Sequence, residues 1–447
     1  MRLTLLLLII IGTSVGVQAQ ERTSLSLEDC INYALGNNEQ LKIKQLDKEI
    51  AEAEVRKTIS MGLPQANVNG GLNYNFEPQK SLIDISTFDP SVPEGTEQEV
   101  SFVQKYDGNI GLSVDQLIFD GSYFVGLQAA RTYKELSTKE HIKSQIDIVE
   151  AVSKAYYNTL IAEEQLELLE RNMGRLDTLL DETQEMYNAG FAEKVDVDRI
   201  RVNYNNLRVE LSKSRQLKDI SRKLLKFQMG MDLNQPIELT QNLEEVEINT
   251  PAIPSETFDY GQRIEFSQLQ TNRSLAYLDM KNNRVQYLPK IYARLGYGWN
   301  TAAPTGSQVF ESRRWLDNGV LGVTASIPIF DGFLKSNKIQ QNKLQVKQIE
   351  NQMSFVKKNI DLEIEQSQIS LSSQIEMLEV QKQNMELAQE VYDISKIKYQ
   401  EGVGSNLEVI NADASLKEAQ TNYLNALYQA ITSQIELKKA LGTLYKN

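Results

Sequence analysis

The chain has 447 residues, with 60 Asp and Glu against 47 Lys and Arg, one His and one Cys. This acidic balance argues against a nucleic-acid partner, and a single cysteine excludes an internal disulfide framework. The sequence contains no Cys/His metal cluster, Walker loop, GxGxxG or GxSxG motif. We therefore expect no enzymatic activity and neither a metal nor another cofactor, with a glycosidase using paired carboxylates as a remote alternative. We expect Cys30 to be a small buried residue and His141 to lie on a helix surface.

The first residues have the pattern of a secretory signal peptide. A charged start, Met1-Arg2, precedes an apolar run at 3–11, and small residues at Val17 and Ala19 predict cleavage before Gln20. The apolar run is too short to be a membrane anchor, because the hydrocarbon layer is ~30 Å thick. No later apolar run is long enough for a membrane helix, so any crossing would need β-strands in a closed barrel.

The most informative feature of the sequence is an internal repeat. IFDG occurs twice, and the segment after YNAG resembles the segment after YQEG. Gly190 and Gly402 are 212 residues apart, as are Gly230 and Gly442. The order and the spacing are kept, apart from a longer connection in the first copy at 77–105. The sequence therefore predicts two structural repeats.

Each repeat is expected to contain a helix, two strands, a very long helix, a reversal and a return helix. Long stretches without proline and leucines at steps of three and four predict helices with a coiled-coil seam. The predicted strands are 10–12 residues long, the length that a tilted transmembrane strand needs. The predicted organisation is a signal peptide at 1–19, a first repeat at 20–230 (strands about 65–76 and 108–119, turn near 190), a linker at 231–257 and a second repeat at 258–447 (strands about 290–300 and 319–330, turn near 402).

The four strands alternate apolar and polar residues. A soluble sandwich would show the same alternation, but export and the two tryptophans, Trp299 and Trp315, beside one hairpin loop favour a membrane barrel. Four strands cannot close a barrel, so the chain must then oligomerise. The residues expected to face lipid include Val68, Leu112, Leu295 and Val323, and those expected to face the lumen include Asn69 and Thr324.

The ordered set of motifs resembles the TolC-like outer-membrane efflux protein family. The paired LP-then-strand segments, IFDG junctions and YNAG and YQEG turns carry the resemblance, together with SLEDCINYAL (26–35) and LGTLY (441–445). It implies a mixed α+β membrane protein, a homotrimer whose barrel of about 12 strands receives four from each chain. It also implies a long periplasmic α-helical coiled-coil barrel that continues from the β-barrel.

The resemblance implies that the protein would be an outer-membrane channel with a periplasmic extension. It would act as a passive exit duct in a tripartite efflux or type I secretion system, receiving substrate from an inner-membrane transporter through a periplasmic adaptor. The sequence does not separate small-molecule export from protein secretion. The alternative from another class is a periplasmic adaptor or scaffold with a long helical hairpin.

The resemblance also implies a gate after the second turn. Matched from Gly402, the family's two constricting acidic positions fall on Glu408 and on Asn411, where an amide replaces the acid. Asp413 is a nearby acidic candidate, and Arg199 and Arg201 are candidate partners that stabilise the closed gate. The adaptor-docking turns would include Gly190, Phe191, Asp196, Gly402, Val403, Gly404 and Ser405.

Overall fold

The computed structural model describes residues 23–88, 91–243, 246–249, 251 and 258–445, so the predicted signal peptide lies outside the described residues. The described chain forms two compact units. One contains residues up to Gln45, His141–Glu265 and the chain from Val356 onwards, and the other contains Leu46–Glu140 and Phe266–Phe355. Each compact unit therefore combines segments from both predicted repeats.

The element order is the same in both halves of the chain. After a short strand β1 (Thr23–Leu25) and helix α1 (Leu27–Asn37), a helix, two long strands and two long helices follow, and this series then recurs. The first series is α2 (Glu39–Ser60), β2 (Gln65–Tyr74), β5 (Tyr106–Phe119), α3 (Gly121–Asn188) and α4 (Lys194–Met229), and the second is α5 (Ile264–Val285), β7 (Lys290–Ala303), β8 (Leu316–Ser326), α6 (Leu334–Gln400) and α7 (Asn406–Ala440).

The predicted long connection at 77–105 is more ordered than a loop. It contains a hairpin of β3 (Lys80–Asp84) and β4 (Glu97–Ser101). The linker also carries structure, because its strand β6 (Ile237–Leu239) pairs in parallel with β1. Ile237 and Leu243 are buried in the helical core, which explains why this segment packs against the helices.

The four long strands form one antiparallel sheet in the order β2-β5-β7-β8. Its last strand ends at Ser326, whereas the sequence predicted strand structure to about 330. Pro328 accounts for the difference, since proline has no N–H to donate to a neighbouring strand. The two outer strands, β2 and β8, each have one free edge in the described chain.

The strand register confirms how the sequence grouped residues by face. Directly paired residues in an antiparallel sheet project to the same side. Val68 pairs with Leu112, which pairs with Tyr297, so this level of one face is apolar across three strands. On the other face, Asp115 pairs with Arg294, and their side chains form an ion pair at 2.6 Å.

The unit that contains most of α3, α4, α6 and α7 has a core built from helix seams. Leu169 and Leu176 of α3 pack with Leu207 of α4, Tyr392 of α6 and Leu416 of α7. The predicted leucine seam is therefore confirmed as core. Cys30 is also buried, as expected, while His141 is half-buried and not fully on the surface.

Candidate gate and docking turns

The turn between α6 and α7 is a tight reversal made by glycine. Gly402 has a φ of 75°, in the left-handed region that glycine adopts without strain. A Cβ on Gly404 would lie 2.9 Å from the Cβ of Lys398, so this position also excludes a side chain. Ser405 then caps α7, because its hydroxyl accepts a hydrogen bond from the N–H of Glu408 at 3.3 Å.

The turn between α3 and α4 is built in a similar way. Gly190 has a φ of 82°, and the N–H of Phe191 closes the turn by donating to the carbonyl of Met186 at 2.8 Å. The carboxylate of Asp196 accepts from the N–H of Glu193 at 3.3 Å and stabilises the start of α4. Phe191 and Val403 are 86% and 80% exposed, so each turn presents an uncovered apolar side chain.

The predicted gate residues lie on two different sides of α7. Glu408 and Asn411 are exposed, whereas Asp413 is buried. The Asp413 carboxylate faces α3, where it accepts a hydrogen bond from Arg175 Nη2 at 3.3 Å. This orientation favours a structural role for Asp413, because an ion pair buried between helices is directed away from the exposed side of α7.

The predicted stabilising arginines have other partners within the chain. Arg199 pairs with Asp196 at 3.5 Å, one turn earlier on α4. Arg201 donates to the side chain of Gln184 on α3 at 3.4 Å. In the described chain neither contact involves Glu408. A contact between either arginine and Glu408 would therefore have to form between neighbouring copies of the chain.

Arg175 is the cation that sequence reasoning missed. Besides its contact with Asp413, it lies over the ring of Tyr392 at 4.9 Å, and so connects α3, α6 and α7. Burial raises the pKa of the Asp413 carboxyl, although Arg175 acts in the opposite direction. Nearby, Asn172 donates to Gln420 at 3.1 Å across the same interface of α3 and α7. The sequence around Arg175 does not indicate that Asp413 is its partner, because the two residues come together only when α3 packs against α7.

No helix among the described residues is both long and apolar enough to cross a membrane. They also contain no group of three or more His, Cys, Asp or Glu side chains that could hold a metal ion.

The architecture is similar to that of solved outer-membrane channels. The Campylobacter jejuni CmeC outer membrane channel superimposes with a TM-score of 0.71 at 17% sequence identity, covering 94% of this chain and 86% of that one. At 17% sequence identity, this similarity shows that the two proteins share a fold of long helices and a small antiparallel sheet.

The sequence matches identify the family. The profile of the family described as outer membrane efflux protein matches residues 30–231 and 262–443, which is most of the chain. Outer membrane protein TolC of Escherichia coli K12 is 21% identical over 98% of this chain and 86% of its own length. The toluene efflux pump outer membrane protein TtgC of Pseudomonas putida is 24% identical over 93% and 83%. The chain belongs to the outer membrane efflux protein family.

Family membership confirms the predicted location and function and excludes the alternative function. The protein resides in the outer membrane, it is an efflux channel, and it is not a periplasmic adaptor. The relatives are channel proteins and not enzymes. The two profile matches fall one in each half of the chain, on either side of the predicted linker.

Proposed function

We propose that three copies of the chain form a passive exit duct of a tripartite efflux or type I secretion system. Each copy contributes four strands to a barrel of about 12, an even number as in other outer-membrane barrels. The duct receives substrate from an inner-membrane transporter through a periplasmic adaptor. The names of the relatives differ in substrate, from toluene to cobalt, zinc and cadmium, so we assign none here.

The observation that carries the trimer is the open four-stranded sheet. Strands β2 and β8 each leave one row of backbone donors and acceptors without a partner in the described chain. In a bilayer such groups must be paired, which only a closed barrel achieves for strands. The apolar face of the sheet is exposed as well, since Val68 is 70% and Val323 is 71% exposed. Pairing β2 of one copy with β8 of the next satisfies the edges and leaves the apolar face for lipid.

The mass of the detergent-extracted protein tests this assembly. We expect light scattering, corrected for bound detergent, to give three times the mass of one mature chain. A stable monomer that stays in aqueous buffer without detergent would contradict the proposed barrel.

We further propose that Glu408 lines the constriction and that Asn411 lies next to it. Both are exposed on α7, directly after the second turn. The exposed Phe191 and Val403 support the two turns as the adaptor-docking surface, because an adaptor helix could cover these apolar side chains. We keep Arg199 and Arg201 as candidate stabilisers of the closed state, acting between copies.

Neutralising Glu408 tests its position in the constriction. A ring of carboxylates favours cations and repels anions. We therefore expect Glu408→Gln to reduce cation selectivity, and block by multivalent cations, in planar-bilayer recordings. The matched control is Asp177→Asn, which removes a carboxylate from an exposed position on α3. Glu408 does not line the constriction if Glu408→Gln leaves both properties as in the wild type.

A further inference from the structure

Helix α7 has one uncovered side, and that side is polar along six turns. Its exposed positions follow steps of three and four residues, the spacing that keeps side chains on one face of a helix. Leu407 and Ala414 lie beside this row and are also exposed. The α7 polar stripe consists of Glu408, Asn411, Ser415, Glu418, Asn422, Asn425 and Gln429.

The composition of the stripe suits water better than another helix. The opposite side of α7 is buried and carries Val409, Leu416 and Leu427, which pack in the helical core. A helix-packing seam of the same spacing would need apolar residues, and tolerates single polar ones at a cost in stability. The seven residues of the stripe carry only four amides, one hydroxyl and two carboxylates. We take it to face an aqueous space.

A groove borders the stripe on the side of α4. The groove has a volume of about 580 Å³ and is lined by residues from α3, α4 and α7. Asn203 and Asn206 of α4 lie across it from Asn411, Glu418 and Asn422 of α7. Side-chain amides from α4 and α7 therefore border the same open space, together with the apolar side chains of Leu176, Leu207 and Ile410.

Glu418 is the one carboxylate of this groove without a cation among the described residues. The adjacent Lys417 is engaged by Glu210 of α4 in an ion pair. Asp413, which also borders the groove, is paired with Arg175. Glu418 thus has no cationic partner in the described part of the chain, and its side chain is exposed.

We propose that the α7 polar stripe lines the water-filled passage and that Glu418 is a second selectivity-determining carboxylate. This inference rests on the proposed trimeric channel, in which three copies of Glu418 form a ring. The ring lies 10 residues along α7 from Glu408, a separation of about 15 Å at 1.5 Å per residue. That distance exceeds the Debye length of about 8 Å at physiological ionic strength. The two rings therefore attract hydrated cations at separate levels.

The first test compares charge-neutralised variants in planar bilayers at low and at high salt. Glu418→Gln is expected to lose part of the cation selectivity that the wild type shows at low salt, with a smaller loss at high salt. Combining it with Glu408→Gln is expected to give a larger loss than either change alone. Asp177→Asn is the matched control, since it removes the same charge at about the level of Asp413 but on the exposed side of α3. Its selectivity is expected to equal that of the wild type.

The second test detects the passage without relying on charge. Cysteine is introduced at Asn422 or Asn425, and a cationic methanethiosulfonate reagent is added during recording. We expect no reaction of the reagent with the native cysteine, because Cys30 is fully buried and burial raises the pKa of its thiol to about 12. We expect current to fall after modification of Asn422→Cys and Asn425→Cys, and to be unchanged for Asp177→Cys.

The two tests separate this inference from the channel proposal. A wild-type trimer that conducts, with Glu418→Gln and both modified stripe variants behaving as wild type, would overturn the stripe and leave the channel intact. A wild type that forms no conducting pore would overturn both proposals. Each variant is first checked for the trimeric mass, so that an unfolded variant is not counted as a change in selectivity.

Discussion

Replacing Asp413 by alanine is expected to lower the free energy of unfolding by about 3 kcal/mol. The change leaves the guanidinium of Arg175 between three helices without its carboxylate, and removing one partner of a buried ion pair costs about 3–5 kcal/mol. We choose the lower end because the Arg175 side chain is 24% exposed. The measurement is chemical unfolding of the detergent-solubilised protein, followed by the helical circular dichroism signal.

Two controls test the physical cause. Glu170→Ala removes the partner of Arg215 in an exposed ion pair that joins α3 and α4, where the side chains of Glu170 and Arg215 are 50% and 60% exposed. Exposed pairs contribute about 0–1 kcal/mol, so this variant is expected to be nearly as stable as the wild type. The double variant Arg175→Met/Asp413→Leu removes both charges and should recover much of the loss. Equal effects of Asp413→Ala and Glu170→Ala would show that the buried pair has no special role.

The same carboxyl predicts a pH dependence. Because the pKa of Asp413 is raised in the folded protein, the folded state binds its proton more tightly than the unfolded state does. The part of the stability that comes from binding this proton is then fully present below the unfolded pKa and is lost as the pH rises through the folded pKa, where the ion pair with Arg175 remains. Asp413→Asn should remove this part of the pH profile and keep an oxygen that accepts from Arg175.

Replacing Leu112 by arginine is expected to destabilise the assembled barrel by about 2–4 kcal/mol. The sheet register places Leu112 between Val68 and Tyr297 on the apolar face. Arginine at the midplane of the lipid-facing side of a barrel costs about this much. The loss of trimer with rising temperature, measured by gel electrophoresis of unboiled samples, reports the effect.

The matched control is arginine on the polar face of the same strands. Asn69 lies on the polar face, where it pairs with Gly111, and its side chain is exposed. Asn69→Arg is therefore expected to change the stability of the assembled barrel little. If Leu112→Arg and Asn69→Arg are tolerated equally, the apolar face does not contact lipid.

The sequence predicted the elements of the fold well because their physical signals are local. Alternation identified the strands, and the spacing of Leu166, Leu169 and Leu176 identified a seam that is buried in the structure. The end of β8 was missed by four residues, because alternating Ile327 and Ile329 concealed the effect of Pro328. The hairpin of β3 and β4 was missed because neither of its five-residue strands shows a strong alternation.

The candidate gate was less predictable because its chemistry depends on contacts between distant helices. The distance along the sequence from Arg175 to Asp413 is more than half of the chain, and nothing near either residue indicates the pair. The orientation of Asp413 toward α3, away from Glu408, follows from packing alone. The glycines of the two turns were easier to predict, since Gly190 and Gly402 occupy equivalent positions in the two sequence repeats. Both have a positive φ in the structure.

The most direct test of the central claim is a planar-bilayer recording of the purified wild-type protein. Protein extracted from the outer membrane with the mass of three chains should insert and produce discrete conductance steps. These steps should favour cations at low salt, since both exposed carboxylates of the α7 polar stripe would face the passage. A trimer-sized sample that leaves the bilayer conductance at its baseline under all salt conditions and voltages would contradict the proposal that this protein is an exit duct.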